Sequence, residues 1–501
     1  MSDLHSASWI AYCLVIFGLT LVYLLIGSLV QYGRLRHVPG PPLAAWTDLW
    51  LVRQMHRKET LHTIKRQLHR RYGPIQRYGP NRVMFSDPAA IPVILGSTNV
   101  FQKGPSNRPT KSFANGLEVA TFVGMEDEAR VSRLKRNLHS TFSVNGVLAY
   151  EQHVDETVAE LVQHLSAAGP IVNLSDWTTW FAFDTMARLA FSEDQGFMRK
   201  QEDIDGAAEA ARMRFAHWNR YWAMPRVEAV LFKNWFARHS KRPPSGLTRL
   251  AMRAIESRRL KGGIGAHADI LDLFLRCGES DPELFTAPTI IGLTITTIQA
   301  GSETTGYTTA ICIYHLLTHP RVLAALRKEL ETVSPTTPTG WDSPPAAALR
   351  SLPYLEACVK ESNRLRPTVH IPSERIVPAG GRTIAGVFIP GGTIVANNAS
   401  GMYMDANLWG LDVNAYRPER WLEGSEEQCA RMNRANLLFS AGKRMCLGIN
   451  VSWLEMRKVI PALVMNFEMT LVHPEKELYQ HPGIFGEPGE LLVRLERRYA
   501  N

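Results

Sequence analysis

Phe439-Ser440-Ala441-Gly442-Lys443-Arg444-Met445-Cys446-Leu447-Gly448 is the stretch on which the reading of this chain turns. One cysteine stands in a glycine-framed turn, directly ahead of a helix-like segment. In that segment Leu447, Val451, Leu454, Ile460 and Leu463 recur roughly at helical spacing. A cysteine at a helix start meets unpaired backbone N–H groups and the positive end of the helix dipole. Both favour thiolate over thiol, and an open thiolate is a metal ligand or a nucleophile. The plainer alternative is an inert buried cysteine packing as a small hydrophobe. The surroundings argue for more: Gly442 permits φ > 0, Gly448 permits close backbone approach, and Phe439 offers a flat shield. Arg444 offers a fork of donors that suits a carboxylate.

The 501 residues would fill about three average domains, though single domains of this size occur. Composition is that of a globular protein, with 45% hydrophobic and 21% charged residues. The net charge of +9 has no dense Lys/Arg run behind it, so no nucleic-acid surface is expected. A basic patch would suit an acidic redox partner or an anionic membrane. The six cysteines are scattered without a Cys-x-x-Cys, which fits a reducing compartment. No Walker loop, His-Glu-x-x-His or Gly-x-Ser-x-Gly occurs. Gly263-Ile264-Gly265-Ala266-His267-Ala268 follows a basic segment rather than an apolar strand and reads as a loop.

The N-terminus reads as a membrane anchor. No charged residue or histidine occurs from Ser6 to Gly33, and Ile10 to Val30 is strongly apolar, long enough to span a bilayer. A cleavable signal peptide would have a shorter apolar region with basic residues ahead of it. Here Asp3 lies ahead and Arg34, Arg36 and His37 lie behind, which places the following domain in the cytosol. The Asn-x-Ser matches at Asn173, Asn398 and Asn450 then stay unmodified. Trp9, Tyr23 and Tyr32 suit the interfaces. Val38-Pro39-Gly40-Pro41-Pro42 reads as a stiff hinge. The division expected is 1–37 anchor, 38–48 hinge and 49–501 globular domain.

Helical periodicity dominates that domain, over 60–72, 126–142, 147–168, 175–192, 200–218, 246–260, 284–318, 320–332, 353–365 and 447–466. Strand-like runs are short: Ile75–Tyr78, Val83–Ser86, Arg382–Ile384 and Thr393–Ala396. The Pro/Thr/Ala-rich segment 333–350 reads as a surface connection. The fold class is therefore mainly α with small peripheral β-sheets. Within 284–318, Thr297, Ala300, Gly301 and Thr304 share one helix face. Mid-helix glycine is unfavourable by about 1 kcal/mol relative to alanine. Two reasons for it are open: a packing stripe, or room for a ligand against the backbone.

Phe-x-x-Gly-x-Arg-x-Cys-x-Gly at 439–448 resembles the haem-binding loop of cytochromes P450. Ala300-Gly301-Ser302-Glu303-Thr304-Thr305 resembles the family's oxygen-activation motif. Glu361-x-x-Arg364 with Arg420 resembles its Glu-Arg-Arg triad. An apolar anchor followed by Pro-Gly-Pro-Pro resembles the microsomal members, and the whole is most similar to fungal P450s of secondary metabolism. The resemblance implies the cytochrome P450 fold behind a single transmembrane helix. It implies Cys446 as axial ligand of haem b, with Arg444, and Arg375 beyond it, pairing with the propionates. Phe439, Gly442, Ala300 and Gly301 would line the cofactor. Thr304 would hydrogen-bond the activated dioxygen and Glu303 would help deliver protons, while Glu361, Arg364 and Arg420 are structural. The family often carries Trp or His, and then Arg, in the helix before Phe142. Here those places hold Val131 and Lys135, so Lys135 or Arg136 is the propionate donor left on that side.

The activity implied is a monooxygenase acting on a lipophilic small molecule in the endoplasmic reticulum membrane. Electrons would come from NADPH through a separate flavin-containing P450 reductase, with cytochrome b5 as a further partner. Phe113, Phe122, the aromatic 211–236 region, 368–372 with His370, and Ile484-Phe485 would face the haem. His370 reads as a structural histidine, and the 211–236 aromatics suit either the pocket or the membrane surface. The rivals are a P450-fold isomerase, dehydratase or peroxide user, a non-catalytic haem-binding protein, and a purely structural membrane protein.

Overall fold

The computed structural model describes residues 2–57, 59–98, 101–114, 116–240, 243–260, 264–265, 267–334, 341 and 343–499. Gly263 and Ala266 of the glycine loop lie outside the described residues. So do 335–340 and 342 of the Pro/Thr-rich segment, and the Trp9 and Cys13 side chains.

A 32-residue helix, Ala287–Thr318, runs through the centre of the domain. Thr286 caps it, its hydroxyl accepting from the Thr289 N–H, and Pro288 sits in its first turn. The sequence is apolar or hydroxylated nearly all round, which is what a helix covered on all sides requires. It packs mainly on Leu174–Phe191. Gly306 permits that contact: a Cβ there would stand 2.9 Å from the Thr178 carbonyl oxygen and from Thr179 Cα. Pro353–Leu365 and Ile449–Asn466 flank the same helix.

Sheets are small and peripheral. In the largest, Ile75–Gly79 pairs antiparallel with Arg82–Phe85, which runs parallel to Ile394–Asn397. Arg375–Ile376 and the edge strand Gln102–Lys103 complete it, with Lys103 opposite Arg375. A second sheet joins Phe467–Leu471, Leu492–Arg497 and Ile171–Asn173.

The anticipated architecture is present, and the differences have local causes. The helix expected at 200–218 is Ala207–Tyr221, because Asp205 and Gly206 adopt left-handed φ of 56° and 67°. Asp203 then accepts from the Ala208 and Glu209 N–H groups at 2.9 and 2.8 Å. The 147–168 helix is a short 3-10 turn, Gly146–Tyr150, leading into Glu151–Ala167. The 126–142 helix is Glu128–Leu138, capped by Asp127. The helix Ile270–Ser280, capped by Asp269, had no sequence counterpart. Segment 333–350 is not simply a surface connection. Trp341 is buried and Ala346–Arg350 is a helix against Ile449–Asn466. The 38–48 segment is docked rather than free: Val38, Ala44 and Ala45 are buried, and the Arg77 N–H donates to the Pro39 carbonyl at 2.7 Å. Ahead of it, Leu14–Arg34 is long and apolar enough to cross a membrane, with mean hydropathy 2.2.

Three charged side chains tie the domain together behind the cavity. Glu361 is fully buried and accepts from Arg364 Nε and Nη2 at 2.8 Å each. It also accepts from Arg420 Nε at 2.8 Å and Trp421 Nε1 at 3.0 Å. Arg364 donates onward to the Tyr403 and Val413 carbonyls at 3.0 and 2.7 Å. Leaving one half of such a buried pair uncompensated costs about 3–5 kcal/mol. Glu361→Gln keeps the shape and removes the charge. It should lose about that much stability in urea unfolding, and a loss below about 1 kcal/mol would mean that the two arginines find other partners.

Candidate haem and substrate site

The Cys446 loop is held open by its backbone. The Cys446 N–H donates to the Phe439 carbonyl at 2.9 Å. Gly442 has φ +64°, and a Cβ there would overlap the Leu95 carbonyl oxygen, so only glycine fits. Gly448 is different. Its φ is −83° and a Cβ would meet only Cys446 Sγ, at 4.0 Å, so the close approach expected there is absent. The helix begins at Ile449 with Gly448 as its cap, so Cys446 lies ahead of the first turn. Its sulfur opens onto an internal cavity while protein surrounds it on the other sides. Burial pushes its thiol above the usual value, against the Gly448 N–H and the Lys135 ammonium, which pull the other way. The fold alone therefore does not favour the thiolate, contrary to the helix-start argument. A coordinated metal ion would deprotonate it outright.

Four cations stand around this part of the cavity. Arg444 chelates the Glu128 carboxylate through Nε and Nη2 at 2.8–3.1 Å. It also donates to the Phe122 and Met125 carbonyls at 3.2 and 3.1 Å. Lys135 Nζ donates to the Lys443 and Met445 carbonyls at 2.9 and 2.6 Å, so it braces the loop that carries Cys446. Arg375 is buried and donates only to the neighbouring Glu374 carbonyl, at 2.8 Å; burial pulls its pKa down to about 10. Burial also drives Lys103 well below the ordinary lysine value, with Arg444 and Arg375 adding to the effect. Among the described residues, Glu128 is the one carboxylate hydrogen-bonded to any of the four. A surplus of desolvated cations beside an open cysteine and a large apolar cavity fits a haem with two propionates. Arg136 is exposed and does not line the cavity. Lys103 and Glu128 were not singled out from sequence, because a two-residue strand and a helix-start acid carry no pattern of their own.

Across the cavity lie Ala300, Gly301 and Thr304. Thr304 Oγ1 donates to the Ala300 carbonyl at 2.6 Å. The room at Gly301 is taken up by Met186: a Cβ would come within 2.5 Å of its Sδ and 2.8 Å of its Cγ. Helix packing therefore explains this glycine directly. Glu303 does not line the cavity. It is buried, Oε1 accepts from the Tyr307 hydroxyl at 3.3 Å, and Oε2 has no described partner. Burial raises its pKa well above the ordinary carboxyl value, and Glu487 adds to the rise.

The cavity holds about 1640 Å³. Phe113, Phe122, Phe215, Trp218, Phe232 and Phe485 line it, as do Thr368, Val369, Ile371 and Pro372. His370 and Ile484 do not. His370 is buried, packs against His62, donates from Nε2 to the Pro367 carbonyl at 2.5 Å, and has its pKa lowered to about 4 by burial. Trp222 is core, whereas Trp235 and Phe236 are exposed.

The family model described as Cytochrome P450 matches residues 39–492. Cytochrome P450 monooxygenase cicH of Emericella nidulans is 32% identical over 477 residues, covering 93% of this chain and 94% of that relative. A cytochrome P450 monooxygenase of Aspergillus flavus is 32% identical over 504 residues, covering 97% of both chains. Cytochrome P450 monooxygenase mpaDE' of Penicillium brevicompactum is 33% identical over 484 residues, covering 94% of this chain and 56% of that longer relative.

Burial raises the Glu303 pKa, so the folded protein holds this proton more tightly than the unfolded chain, whose ordinary glutamate value is 4.5. Stability contributed at this position is therefore lost as pH rises from that value toward the raised folded one. Glu303→Gln removes the dependence. Parent and variant should differ least near pH 4.5 and the variant should gain as pH rises above it, read from urea midpoints. A parallel pH profile would mean that Glu303 is ionised in the fold.

Proposed function

The chain belongs to the cytochrome P450 family and is an oxidoreductase of the monooxygenase type, and we propose that it is a membrane-anchored haem-thiolate enzyme of fungal-type secondary metabolism. It inserts one oxygen atom into a lipophilic small molecule, and NADPH supplies the electrons through a separate P450 reductase. Cytochrome b5 is a further candidate donor. The observation that carries this reading is the placement of Cys446 Sγ on a largely apolar cavity opposite the Ala300–Thr304 face, with desolvated cations beside it.

Haem held here would supply the dioxygen and one-electron chemistry, for which thiolate ligation is suited. Cys446 would hold its iron through Sγ. Arg375, Arg444, Lys103 and Lys135 are the groups available to the propionates. For Arg444 this means exchanging the Glu128 carboxylate for another. The Thr304 hydroxyl, now donating to Ala300, is the polar group turned toward the reacting side. Glu303, whose pKa burial raises, accepts from the Tyr307 hydroxyl away from the cavity lining. The aromatic walls exclude water and orient an apolar substrate.

Residues 1–37 serve as anchor in the endoplasmic reticulum membrane, 38–48 as a docked connection and 49–501 as the cytosolic haem domain. The end of the anchor is part of the fold: Leu35 is buried, and Arg77 donates to the Gln31 carbonyl at 3.0 Å. Val230, Trp235 and Phe236 expose 71%, 67% and 79% of their surface on the helices Pro225–Phe232 and Trp235–His239. They suit a second contact with lipid.

The test is the carbon monoxide difference spectrum of the reduced protein. The parent should show the strongly red-shifted thiolate Soret band, and Cys446→Ser should lose it; a histidine-type band in the parent would overturn the reading. Thr304→Ala should keep that band while diverting reducing equivalents to hydrogen peroxide. Unaltered coupling of NADPH consumption to product would remove Thr304 from oxygen activation.

A further inference from the structure

The cavity holds one cation that nothing in the fold uses. Arg214 lies on the helix Ala207–Tyr221 and lines the cavity on the substrate side. Its helix is seated against the central helix, where Gln299 Nε2 donates to the Ala211 carbonyl at 3.3 Å. Arg214 follows Ala211 by three residues and so continues along the same face. The other cations of the substrate side are engaged. Lys65 donates to the His370 carbonyl at 3.2 Å, and Lys111 lies 3.7 Å from Glu118. Lys233 lies 2.8 Å from Glu228, and Arg238 covers the Phe113 ring at 4.2 Å. Arg214 alone has neither a hydrogen bond nor an ion pair among the described residues.

Its surroundings make that state unfavourable. Arg214 is half-buried on the cavity wall; burial lowers its pKa against the pull of the Glu303 carboxyl, whose own pKa burial raises. The guanidinium thus faces the cavity with no hydrogen-bond or ion-pair partner among the described residues. Such a group favours any ligand oxygen pair that matches its fork. Next to it the cavity wall is aromatic. Phe215 stacks on Phe485 with ring centroids 3.8 Å apart, and Trp218 meets Phe485 edge-on at 5.7 Å. Arg214 and Trp218 are separated by four residues and share a face.

We propose that Arg214 is the anchor for an anionic group of the substrate, and that the substrates are lipophilic aryl carboxylic acids whose ring packs on the Phe215–Phe485 wall. The proposal rests on the monooxygenase reading for its consequence, since a carboxylate fixed at one point decides which carbon is presented to the cofactor. The recognition itself does not depend on turnover. A charge-assisted pair of this kind is expected to separate acid from ester by at least about tenfold in Kd, or about 1.4 kcal/mol.

The experiment uses the full-length holoprotein in lipid nanodiscs at about pH 7.5, where a benzoate is ionised. The probes are 4-butylbenzoic acid and its methyl ester. Binding is read twice, by the haem spin-state band and by isothermal titration calorimetry, which reports binding whatever the haem ligation. The parent should bind the acid at least about tenfold tighter than the ester. Arg214→Gln should bring the two within about threefold while leaving the ester Kd unchanged, and Arg214→Lys should retain part of the preference. Equal affinities in the parent, binding of neither probe, or a preference that survives in Arg214→Gln would each overturn the proposal. An acid preference that persists while the pH dependence of the spin state shifts would assign Arg214 to Glu303 instead. A missing thiolate band in the carbon monoxide spectrum would sink the monooxygenase reading alone, and the calorimetric titration would still judge Arg214.

Discussion

The buried Glu361 carboxylate is the interaction on which the rest of the structure depends. One side chain accepts from two guanidiniums and an indole, and so joins Arg364 of its own helix to the adjacent pair Arg420 and Trp421 from a distant stretch of chain. None of these groups tolerates burial unpaired. The network therefore exists whole or is a liability, and this makes it a specificity device as much as a source of stability. Its reach extends to the cysteine loop. Arg364 donates to the Tyr403 carbonyl, and the Tyr403 hydroxyl accepts from the Leu437 N–H at 2.9 Å, two residues before Phe439. Loop position is thus transmitted from the core by a short chain of hydrogen bonds.

The same economy of charge explains the cofactor side. Burial raises the Cys446 thiol and lowers Arg375 and Lys103, so each group is pushed toward neutrality when no partner is present. A ligand that supplies a metal cation to the sulfur and carboxylates to the cations relieves all three at once. Lys135 shows how a substitution changes the division of labour. A lysine is a point charge with rotatable donors, and here two of them hold the loop carbonyls of Lys443 and Met445. The family's usual arginine would present a fork to a propionate instead. Glu128 takes up the Arg444 fork in the same region, so this side trades direct cofactor contacts for bracing of the loop.

Much of this was legible in the sequence because the signals are local. The Cys446 loop is a run of ten residues, and Gly442 announces the left-handed turn that the Leu95 carbonyl enforces. Long apolar periodicities gave the central helix and its neighbours to within a few residues. What escaped was set by tertiary contact. Lys103 meets Arg375 through a pairing of two-residue strands, which no window on the chain can register. Glu303 and Thr304 are adjacent in sequence, yet Thr304 lines the cavity and Glu303 is buried beside Tyr307. Gly301, read as room for a ligand or for packing, is explained by one methionine of a neighbouring helix. At Cys446 the backbone N–H and the lysine that favour the thiolate work against burial, which raises the thiol, and the sulfur lies ahead of the first helical turn.

Arg214 belongs to the class of features that sequence alone does not expose. An arginine in an amphipathic helix reads as a solvated surface residue, and Arg212, two positions earlier, is one: it pairs with Glu209 at 2.9 Å in solvent. The difference between the two is which way the helix turns them. Arg212 finds both water and a carboxylate, whereas Arg214 is rolled toward the cavity, with burial raising the pKa of the Glu303 carboxyl that acts on it. A fold does not place a half-buried charge next to an aromatic wall without cost, and no hydrogen bond or ion pair among the described residues offsets that cost. The group that offsets it must then arrive from outside. The distance between the Arg214 anchor and the Cys446 side of the cavity becomes the ruler that selects the site of oxidation.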